Sequence, residues 1–510
     1  MPRRREGGDL CAIFIHAGAG FHSRQNEKSH LAAVNDAALV AMAILKNGGN
    51  ATDAVEMAIR LLEDKEITNA GYGSNLTMDG SVECDATMVD HMGRSGAVGA
   101  LSLVKNPIAA ARLVLDEAIK PLTLQRVPPN LLVGAGATDF AHDRGLPILP
   151  PDFLVSMSAR DRWLRWQKDL QDVEVRISMS RIPEQTAVGG PLTVPPKSSE
   201  DTTTQTQTDC HEQQPSVLSL PTVTETVQDA ATNVNHLASS REDGSSLHEA
   251  VGAMPSRRSI SHSENEGDNE SGVDDNLQWQ TSPPKRQKMS GPFDGLMDSQ
   301  NQLTNPEPSP TTSEDPIQDE GREDDITDTV GAIAIDCFGR VAAGSSSGGI
   351  GMKHKGRCGP AALVGVGTAV IPLDPEDLLE TSVATVTSGT GEHMATTTAA
   401  ATAAERIYTS MRRREGGLER CNEDEALYSM ITRDFMQHPG VLNGPCLGAI
   451  GILAVKKTRE GIYFYFGHNT DSFALASMHS EERRPVCTMS RNKGNGTVAQ
   501  GGRVARSKMP

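Results

Sequence analysis

Aromatic side chains are scarce in this chain, making up only 4% of its 510 residues, and the hydrophobic share is 37%. A fully packed globular chain usually contains more apolar residues than this. The composition therefore indicates that a polar segment dilutes a real core. The length would allow roughly two to four domains if the whole chain folded.

Positive charge is also in short supply. The formal net charge is -18, whereas domains that bind nucleic acid are generally basic. We therefore expect no direct contact with nucleic acid. Partners that are themselves associated with DNA are not excluded by this argument.

Paired cysteines and long apolar runs are missing too. The eight cysteines occur singly, without the Cys-x-x-Cys spacing of zinc or redox motifs. Reduced thiols of an intracellular protein are the simpler interpretation. No run approaches the roughly 18 consecutive apolar residues of a membrane span, and the apolar run after the basic start is short for a secretory signal. We expect no membrane partner, no metal and no cofactor.

A polar segment from about residue 183 to 325 divides the chain. It is rich in Ser, Thr, Gln, Asp, Glu and Pro, and its aromatic residues are Trp279 and Phe293. Such a segment cannot bury enough apolar surface to offset the entropy lost on ordering. We expect a disordered linker between a folded part at about 11–182 and a second one from Thr329. Its basic cluster at 284–288 is typical of a nuclear import signal, although a few solvated charges would give the same pattern.

The two flanking parts carry strand and helix patterns. Residues 12–16 read as a buried strand, a helix with Ser29 as its N-cap follows, and residues 330–335 and 340–344 read as a hairpin. Further on we expect a small-residue strand at 361–369 and helices at about 392–411 and 424–437. Strands at both ends of each part, with helices between them, favour an α+β or α/β layered core.

The pair Asp328-Thr329 lies where the polar tract gives way to an apolar strand. A threonine hydroxyl is a poor nucleophile inside a chain, but a threonine with a free α-amine carries its own general base. The reference pKa of such an amine is about 7.7 to 8.0. Attack of the Thr329 hydroxyl on the Asp328 carbonyl would give an ester that water opens. A threonine before a strand is otherwise ordinary, so the surrounding pattern has to support this hypothesis of a precursor that cuts itself.

Seven short motifs occur in a fixed order and supply that support. They are His16-Ala17-Gly18-Ala19-Gly20, Asn69-Ala70-Gly71-Tyr72-Gly73-Ser74-Asn75, Glu83-Cys84-Asp85-Ala86, Asp328-Thr329-Val330-Gly331, Ser347-Gly348-Gly349, Lys353-His354-Lys355-Gly356-Arg357 and Thr387-Ser388-Gly389-Thr390-Gly391-Glu392. In this order the chain resembles the type 2 asparaginase family of N-terminal nucleophile hydrolases, and within it the threonine aspartases, endopeptidases that cut after aspartate. The resemblance implies a four-layer αββα sandwich made of an α subunit, residues 1–328, and a β subunit, residues 329–510. It also implies an αβ heterodimer that can associate further into an (αβ)2 assembly.

The resemblance further implies roles for individual residues. Thr329 would be the nucleophile, and Ser347 with the Ser388-Gly389 pair would arrange hydrogen bonds to the nucleophile and to an oxyanion. Arg357 would hold a substrate carboxylate, because its planar guanidinium can bind both oxygens. Gly18 and Lys28 are further candidates for substrate binding. Asn69 and Asp85 are expected to shape loops, and His16 is expected to be a hydrogen-bonded core histidine.

One departure from the family pattern bears on the substrate. Shortly after the arginine, family asparaginases usually have an aspartate that grips the α-amine of an amino-acid substrate, and here that position is Pro360. This favours an internal peptide bond over free asparagine or an isoaspartyl dipeptide.

Three functions therefore compete. The first is a threonine endopeptidase of the nucleus and cytoplasm that cuts regulatory proteins after aspartate. The resemblance points to trithorax-type chromatin regulators and a general transcription factor subunit as its substrates. The nuclear import machinery would be a further partner. The second is an L-asparaginase or isoaspartyl peptidase. The third is an interaction protein without enzymatic activity, which predicts an uncut chain.

Overall fold

The structure is a computed structural model that describes residues 10–180, 329–493 and 496–506. The predicted linker at about 183–325 and Asp328 lie outside the described residues. The α-helices are α1 (Glu27–Lys46), α2 (Ala51–Glu63), α3 (Pro107–Ala118), α4 (Gly134–Asp143), α5 (Met157–Ser180), α6 (Gly391–Thr396), α7 (Ala399–Thr409), α8 (Glu423–Ser429) and α9 (Pro439–Leu442). A π-helical turn, Met430–Phe435, continues α8.

Fifteen strands accompany these helices in the described part of the chain. They are β1 (Ala12–Gly20), β2 (Cys84–Val89), β3 (Ser95–Leu101), β4 (Leu131–Val133), β5 (Val330–Ile335), β6 (Val341–Ser347), β7 (Thr368–Ile371), β8 (Ser382–Gly389), β9 (Met411–Arg414), β10 (Gly417–Arg420), β11 (Ile450–Lys457), β12 (Gly461–His468), β13 (Ser472–His479), β14 (Val486–Arg491) and β15 (Ala499–Arg506).

The strands form two large sheets and a small hairpin. The first sheet has the order β14-β13-β1-β5-β6-β2-β3-β4, and the second has the order β15-β12-β11-β8-β7. In the first sheet, β1, β2, β3 and β4 come from residues 10–180, and β5, β6, β13 and β14 come from residues 329–491. Strand β1 lies between β13 and β5, and both pairings are antiparallel. The segments on either side of the linker therefore complete one sheet together.

Three apolar clusters show how the elements are layered. The first packs α1, α2 and α3 on one face of the first sheet, the second lies between the two sheets, and the third packs α7 and α8 on the outer face of the second sheet. Along β5, Val330, Ala332 and Ala334 belong to the helix-facing cluster, whereas Ile333 and Ile335 belong to the cluster between the sheets. This alternation is the period of two that a strand imposes. The predicted α+β class is confirmed.

Helix α1 is long and apolar enough, by length and composition alone, to cross a membrane. Its apolar residues Val34, Ala38, Ala41, Met42 and Leu45 are buried in the cluster against the first sheet. Packing against the sheet accounts for this apolar character, as in the core helix of a folded domain.

Some predicted boundaries were wrong. The strand expected at 361–369 is a 3-10 turn, Pro360–Ala362, followed by the short strand Thr368–Ile371. The helix expected at about 392–411 is broken into α6 and α7 at Thr398, where φ is +45°. The break persists because the N–H groups of Ala400 and Ala401 bond to carbonyls of the 365–366 loop. The hairpin expected at 330–344 is confirmed as β5 and β6.

Candidate active site

Thr329 lies at the head of β5 in the middle of the first sheet, with 4% of its surface exposed. Two residues on, the missing side chain of Gly331 would point at Val386 of the second sheet, 3.0 Å away. Since side chains alternate along a strand, Thr329 faces the second sheet as Gly331 does. Asp328 lies outside the described residues, so the scissile bond of the autocleavage hypothesis stays a prediction.

Ser347 ends the neighbouring strand β6 and is buried. Val330 pairs with Ser346 across the two strands, so the next pair along the register sets Thr329 opposite Ser347. The Ser347 hydroxyl accepts a hydrogen bond from the Gly349 N–H at 3.0 Å. Ser345, on the same face as Ser347, accepts a hydrogen bond from Thr368 of the second sheet at 2.8 Å. Thr329 and Ser347 are therefore neighbours whose side chains face the space between the two sheets.

Ser388 and Gly389 approach this space from the second sheet, at the end of β8. The fully buried Ser388 hydroxyl accepts a hydrogen bond from the Ala19 N–H at 3.0 Å, which ties β8 to the glycine-rich end of β1. Gly389 has φ of +143°, and a Cβ there would lie 2.1 Å from the Ala449 carbonyl oxygen. Gly18 precedes the bonded Ala19 and has φ of +105°. The structure thus brings Gly18, Ser388 and Gly389 together. Gly18 and Gly389 have positive φ angles that favour glycine.

Arg357 lies on the loop that follows β6, with its side chain 15% exposed. Its Nη2 and Nε donate to Oε1 of Glu392 at 2.8 and 3.1 Å. Burial opposes ionisation of Glu392, but the hydrogen bonds and charge of Arg357 outweigh it and lower the pKa of Glu392. A Cβ added at Gly349, Gly359 or Gly391 would lie between 2.6 and 2.8 Å from a guanidinium nitrogen. Three glycines therefore make room for a guanidinium that already holds a carboxylate.

Two acidic residues at the start of β2 fix the backbone on either side of Arg357. Asp85 is fully buried and accepts the Gly359 N–H at 2.6 Å and the Ala100 N–H at 2.9 Å. Glu83 accepts the Gly356 N–H at 2.7 Å. Both carboxylates act on main-chain N–H groups, which suits holding a loop in place.

Asn69 connects a second loop to the same region. Its side-chain amide donates to the Gly349 carbonyl at 2.7 Å and its side-chain oxygen accepts the Asn75 N–H at 2.9 Å. The Asn69 carbonyl also accepts the Gly348 N–H at 2.8 Å. The turn that follows Ser347 is therefore held by Asn69 through both side chain and backbone.

His16 lies on β1, opposite Gly331 of the neighbouring strand β5. It is fully buried, and burial lowers its pKa to about 3, an effect that the nearby Thr329 backbone opposes only in part. Among the described residues, neither ring nitrogen has a partner at good hydrogen-bond geometry. The expectation of a hydrogen-bonded core histidine is therefore not met, and an imidazole with so low a pKa is a weak base at neutral pH.

The described contacts include no hydrogen bond or ion pair between the Lys28 side chain and these residues. Lys28 is exposed in the first turn of α1, and the described contacts do not join its ammonium to Arg357. The candidate site in the described residues also includes two side chains whose roles the sequence did not suggest, Glu392 and the buried Lys353. No group of three His, Cys, Asp or Glu side chains in the described ranges comes together in a way that could hold a metal ion, and all seven cysteines described are free.

Comparison with known proteins gives a family and several relatives of this chain. The asparaginase family model matches residues 10–202 and 276–471. The isoaspartyl peptidase/L-asparaginase of Xenopus laevis is 38% identical over 158 residues, covering 31% of this chain and 48% of that protein. The plant-type L-asparaginase of Pyrococcus abyssi is 38% identical over 169 residues, covering 33% of this chain and 51% of that protein.

The isoaspartyl peptidase/L-asparaginase of Danio rerio is 37% identical over 165 residues, covering 32% of this chain and 49% of that protein. The chain thus matches about half the length of these curated relatives. The family model, by contrast, extends over more than half of this chain and over both parts that flank the linker. The protein belongs to the type 2 asparaginase family of N-terminal nucleophile hydrolases.

Proposed function

We propose that the protein is a threonine endopeptidase of the threonine aspartase kind, which cuts itself between Asp328 and Thr329 and then cleaves other polypeptides after aspartate. The observation that carries the proposal is the position of Thr329, buried at the head of the central strand β5 and facing Ser347 and the second sheet. A freed amine on that residue would serve as its general base.

The surrounding groups suit acyl transfer. We propose that Ser347 supplies a hydroxyl, and the Ser388-Gly389 pair backbone N–H groups, that act on the nucleophile and on a developing oxyanion. His16 is a poor candidate for the base because its pKa is lowered to about 3. In this mechanism the freed amine of Thr329 takes up the hydroxyl proton as the hydroxyl attacks the substrate carbonyl, and passes that proton to the departing amine of the cleaved peptide bond. Water then hydrolyses the acyl ester, which releases the new carboxylate and restores the Thr329 hydroxyl.

Selection of aspartate would follow from Arg357. Its guanidinium already holds the carboxylate of Glu392, whose side chain is 62% exposed and can be exchanged for a carboxylate from the substrate. Glycines at 349, 359 and 391 leave space beside the guanidinium, and we propose that a substrate carboxylate enters there. A substrate aspartate would then lie with its carboxylate on Arg357 and its carbonyl at Thr329.

An L-asparaginase or isoaspartyl peptidase is the second candidate, and the names of the relatives favour it. Such an enzyme needs an anion for the α-amine of its substrate. Pro360 is buried beside Arg357 and Gly391, and the adjacent carboxylate of Asp85 is already engaged by two main-chain N–H groups. This arrangement favours an internal peptide bond.

One experiment separates the two enzymes. Protein whose β chain begins at Thr329 is incubated with L-asparagine, with an isoaspartyl dipeptide and with an aspartate-containing polypeptide. The proposal expects cleavage of the polypeptide after aspartate and little ammonia from asparagine. Ammonia release without peptide cleavage would support the asparaginase instead.

Location and partners are further parts of the proposal. The acidic whole chain and the basic cluster at 284–288, which lies outside the described residues, are compatible with a protein of the nucleus and cytoplasm that uses the import machinery. Substrates would be regulatory proteins with an exposed aspartate, such as trithorax-type chromatin regulators. An αβ heterodimer and its (αβ)2 assembly would be the working form.

A further inference from the structure

Lys353 is a buried cation to which the proposed mechanism gives no role. Only 2% of its surface is exposed. Its ammonium donates to the Gly348 carbonyl at 2.8 Å and also to the Glu83 carbonyl. Burying an ammonium is unfavourable unless its N–H groups are paired and an opposite charge is near. The fold therefore holds this charge in place at a considerable energetic cost.

Both acceptors adjoin residues of the candidate site. Gly348 directly follows Ser347, and Glu83 is two residues from Asp85. Burial raises the pKa of Asp85, and the charge of Lys353 is the largest influence that opposes this rise. The charge of Lys353 thus favours the ionised form of the carboxylate that accepts the Gly359 N–H, two residues after Arg357.

The backbone of Lys353 is fixed independently of its ammonium. Its carbonyl accepts the Met78 N–H at 3.0 Å, and the N–H of the preceding Met352 donates to the Leu76 carbonyl at 3.0 Å. A Cβ at Gly349 would lie 3.5 Å from the Lys353 ammonium and 2.8 Å from Nη1 of Arg357. The side chains of Lys353 and Arg357 therefore both approach Gly349.

We propose that Lys353 is a positioning residue whose ammonium fixes the turn at 347–349 and the Arg357 loop relative to Thr329. This inference rests on the proposed function. Without the ammonium, two buried carbonyls lose a donor and Asp85 loses a positive charge that favours its ionised form, so the turn and the loop can relax. A displacement of the order of 1 Å in such a group can reduce the rate about 100-fold.

The test compares Lys353→Met, which keeps the length of the side chain without its charge, with Lys353→Gln, which keeps a neutral donor. Lys105→Met is the matched control, because Lys105 is an exposed lysine paired with Asp64 at 2.9 Å. Cleavage of the aspartate-containing polypeptide is measured as kcat and KM per chain that begins at Thr329. Hydrogen exchange of the 347–349 amides is measured on the same samples. We expect kcat to fall about 100-fold and these amides to exchange faster in both Lys353 variants, with the control unchanged.

A merely structural lysine would lower the melting temperature but leave kcat per folded, cut chain at the parent value. That result, or unchanged exchange at 347–349, would overturn the inference, as would failure of both variants to fold. If the parent itself does not cleave the polypeptide, the proposed function fails while the exchange comparison still decides whether Lys353 fixes the turn. If the variants fold but stay uncut, faster exchange at 347–349 in the uncut chains supports the inference.

Discussion

Replacing Arg357 by glutamine should remove the preference for aspartate at the cleaved position. The guanidinium is 15% exposed and makes two hydrogen bonds to one carboxylate oxygen. A hydrogen bond to a charged group contributes about 1.5 to 3 kcal/mol, so losing two at the lower limit costs about 3 kcal/mol. This corresponds to about 100-fold in kcat/KM for an aspartate substrate.

The assay compares two peptides that differ only in having aspartate or asparagine at the cleaved position. The parent should favour the aspartate peptide by about the same 100-fold factor, and the Arg357→Gln variant should favour it far less. Because Asp328 would use the same site during self-cleavage, rates are normalised to the chains that begin at Thr329. Arg340→Gln serves as the control, since Arg340 is exposed at the far end of β5 and β6, over the Phe338 ring. A variant at Arg357 that retained the parent's preference would refute the reasoning.

Three other changes test the proposed nucleophile Thr329, the backbone at Gly389 and the buried carboxyl group of Glu63. Thr329→Val should leave one full-length band on a denaturing gel where the parent gives two, because valine keeps the shape without the hydroxyl; two bands would contradict the mechanism. Gly389→Ala should lower the melting temperature and abolish cleavage, since φ is +143° and the new Cβ would meet a carbonyl oxygen at 2.1 Å. Such backbone strain costs about 1 to 3 kcal/mol. The control Gly416→Ala should keep the parent's melting temperature, because a Cβ there meets nothing within 4 Å. Equal melting curves for the two variants would refute the strain argument. Burial raises the pKa of Glu63 from 4.5 to about 8. Between these two pH values the folded protein keeps a proton that the unfolded chain releases. The free energy of unfolding of the parent should therefore fall as the pH rises from 4.5 to about 8. The melting temperature of the Glu63→Gln variant should not show this fall. Parallel pH profiles of melting temperature for the parent and the variant would contradict the prediction.

The sequence could predict elements whose pattern is local. Strand β5 and strand β6 are joined by a short turn, so recognising the hairpin also sets their ends, Thr329 and Ser347, opposite each other. The pairing of β1 with β13 joins residues from opposite ends of the chain, and an alternating pattern does not specify which distant strand will be its neighbour. The broken helix at Thr398 escaped prediction for a similar reason, because its first N–H groups bond to a loop more than 30 residues earlier.

Within the site, prediction was weakest for charged residues, because burial is decided by tertiary packing. Lys353 and Lys28 look alike in the sequence, yet one is buried between two main-chain carbonyls and the other is exposed on α1. Glu392 follows the Ser388-Gly389 pair in a recognisable motif, but only the fold brings it to Arg357. Whether His16 has hydrogen-bond partners likewise depends on neighbours from β5 and β13.

Side chains of different size lie between the two sheets along strand β1. Away from the site, Phe14 of β1 stacks on Phe464 with ring centroids 5.1 Å apart. Toward the site, Ala19 of the same strand lies so close to the second sheet that a Cβ at Gly451 would come within 2.3 Å of its own. At that end glycine, alanine and serine residues of the two sheets lie close together beside the buried Phe473 ring, and the backbone N–H group of Ala19 bonds across the gap. Backbone groups held this rigidly are suited to stabilising a developing charge, since they need little reorganisation during the reaction. A bulky side chain at Gly451 would therefore clash with Ala19 and displace the end of β1 that bonds to Ser388.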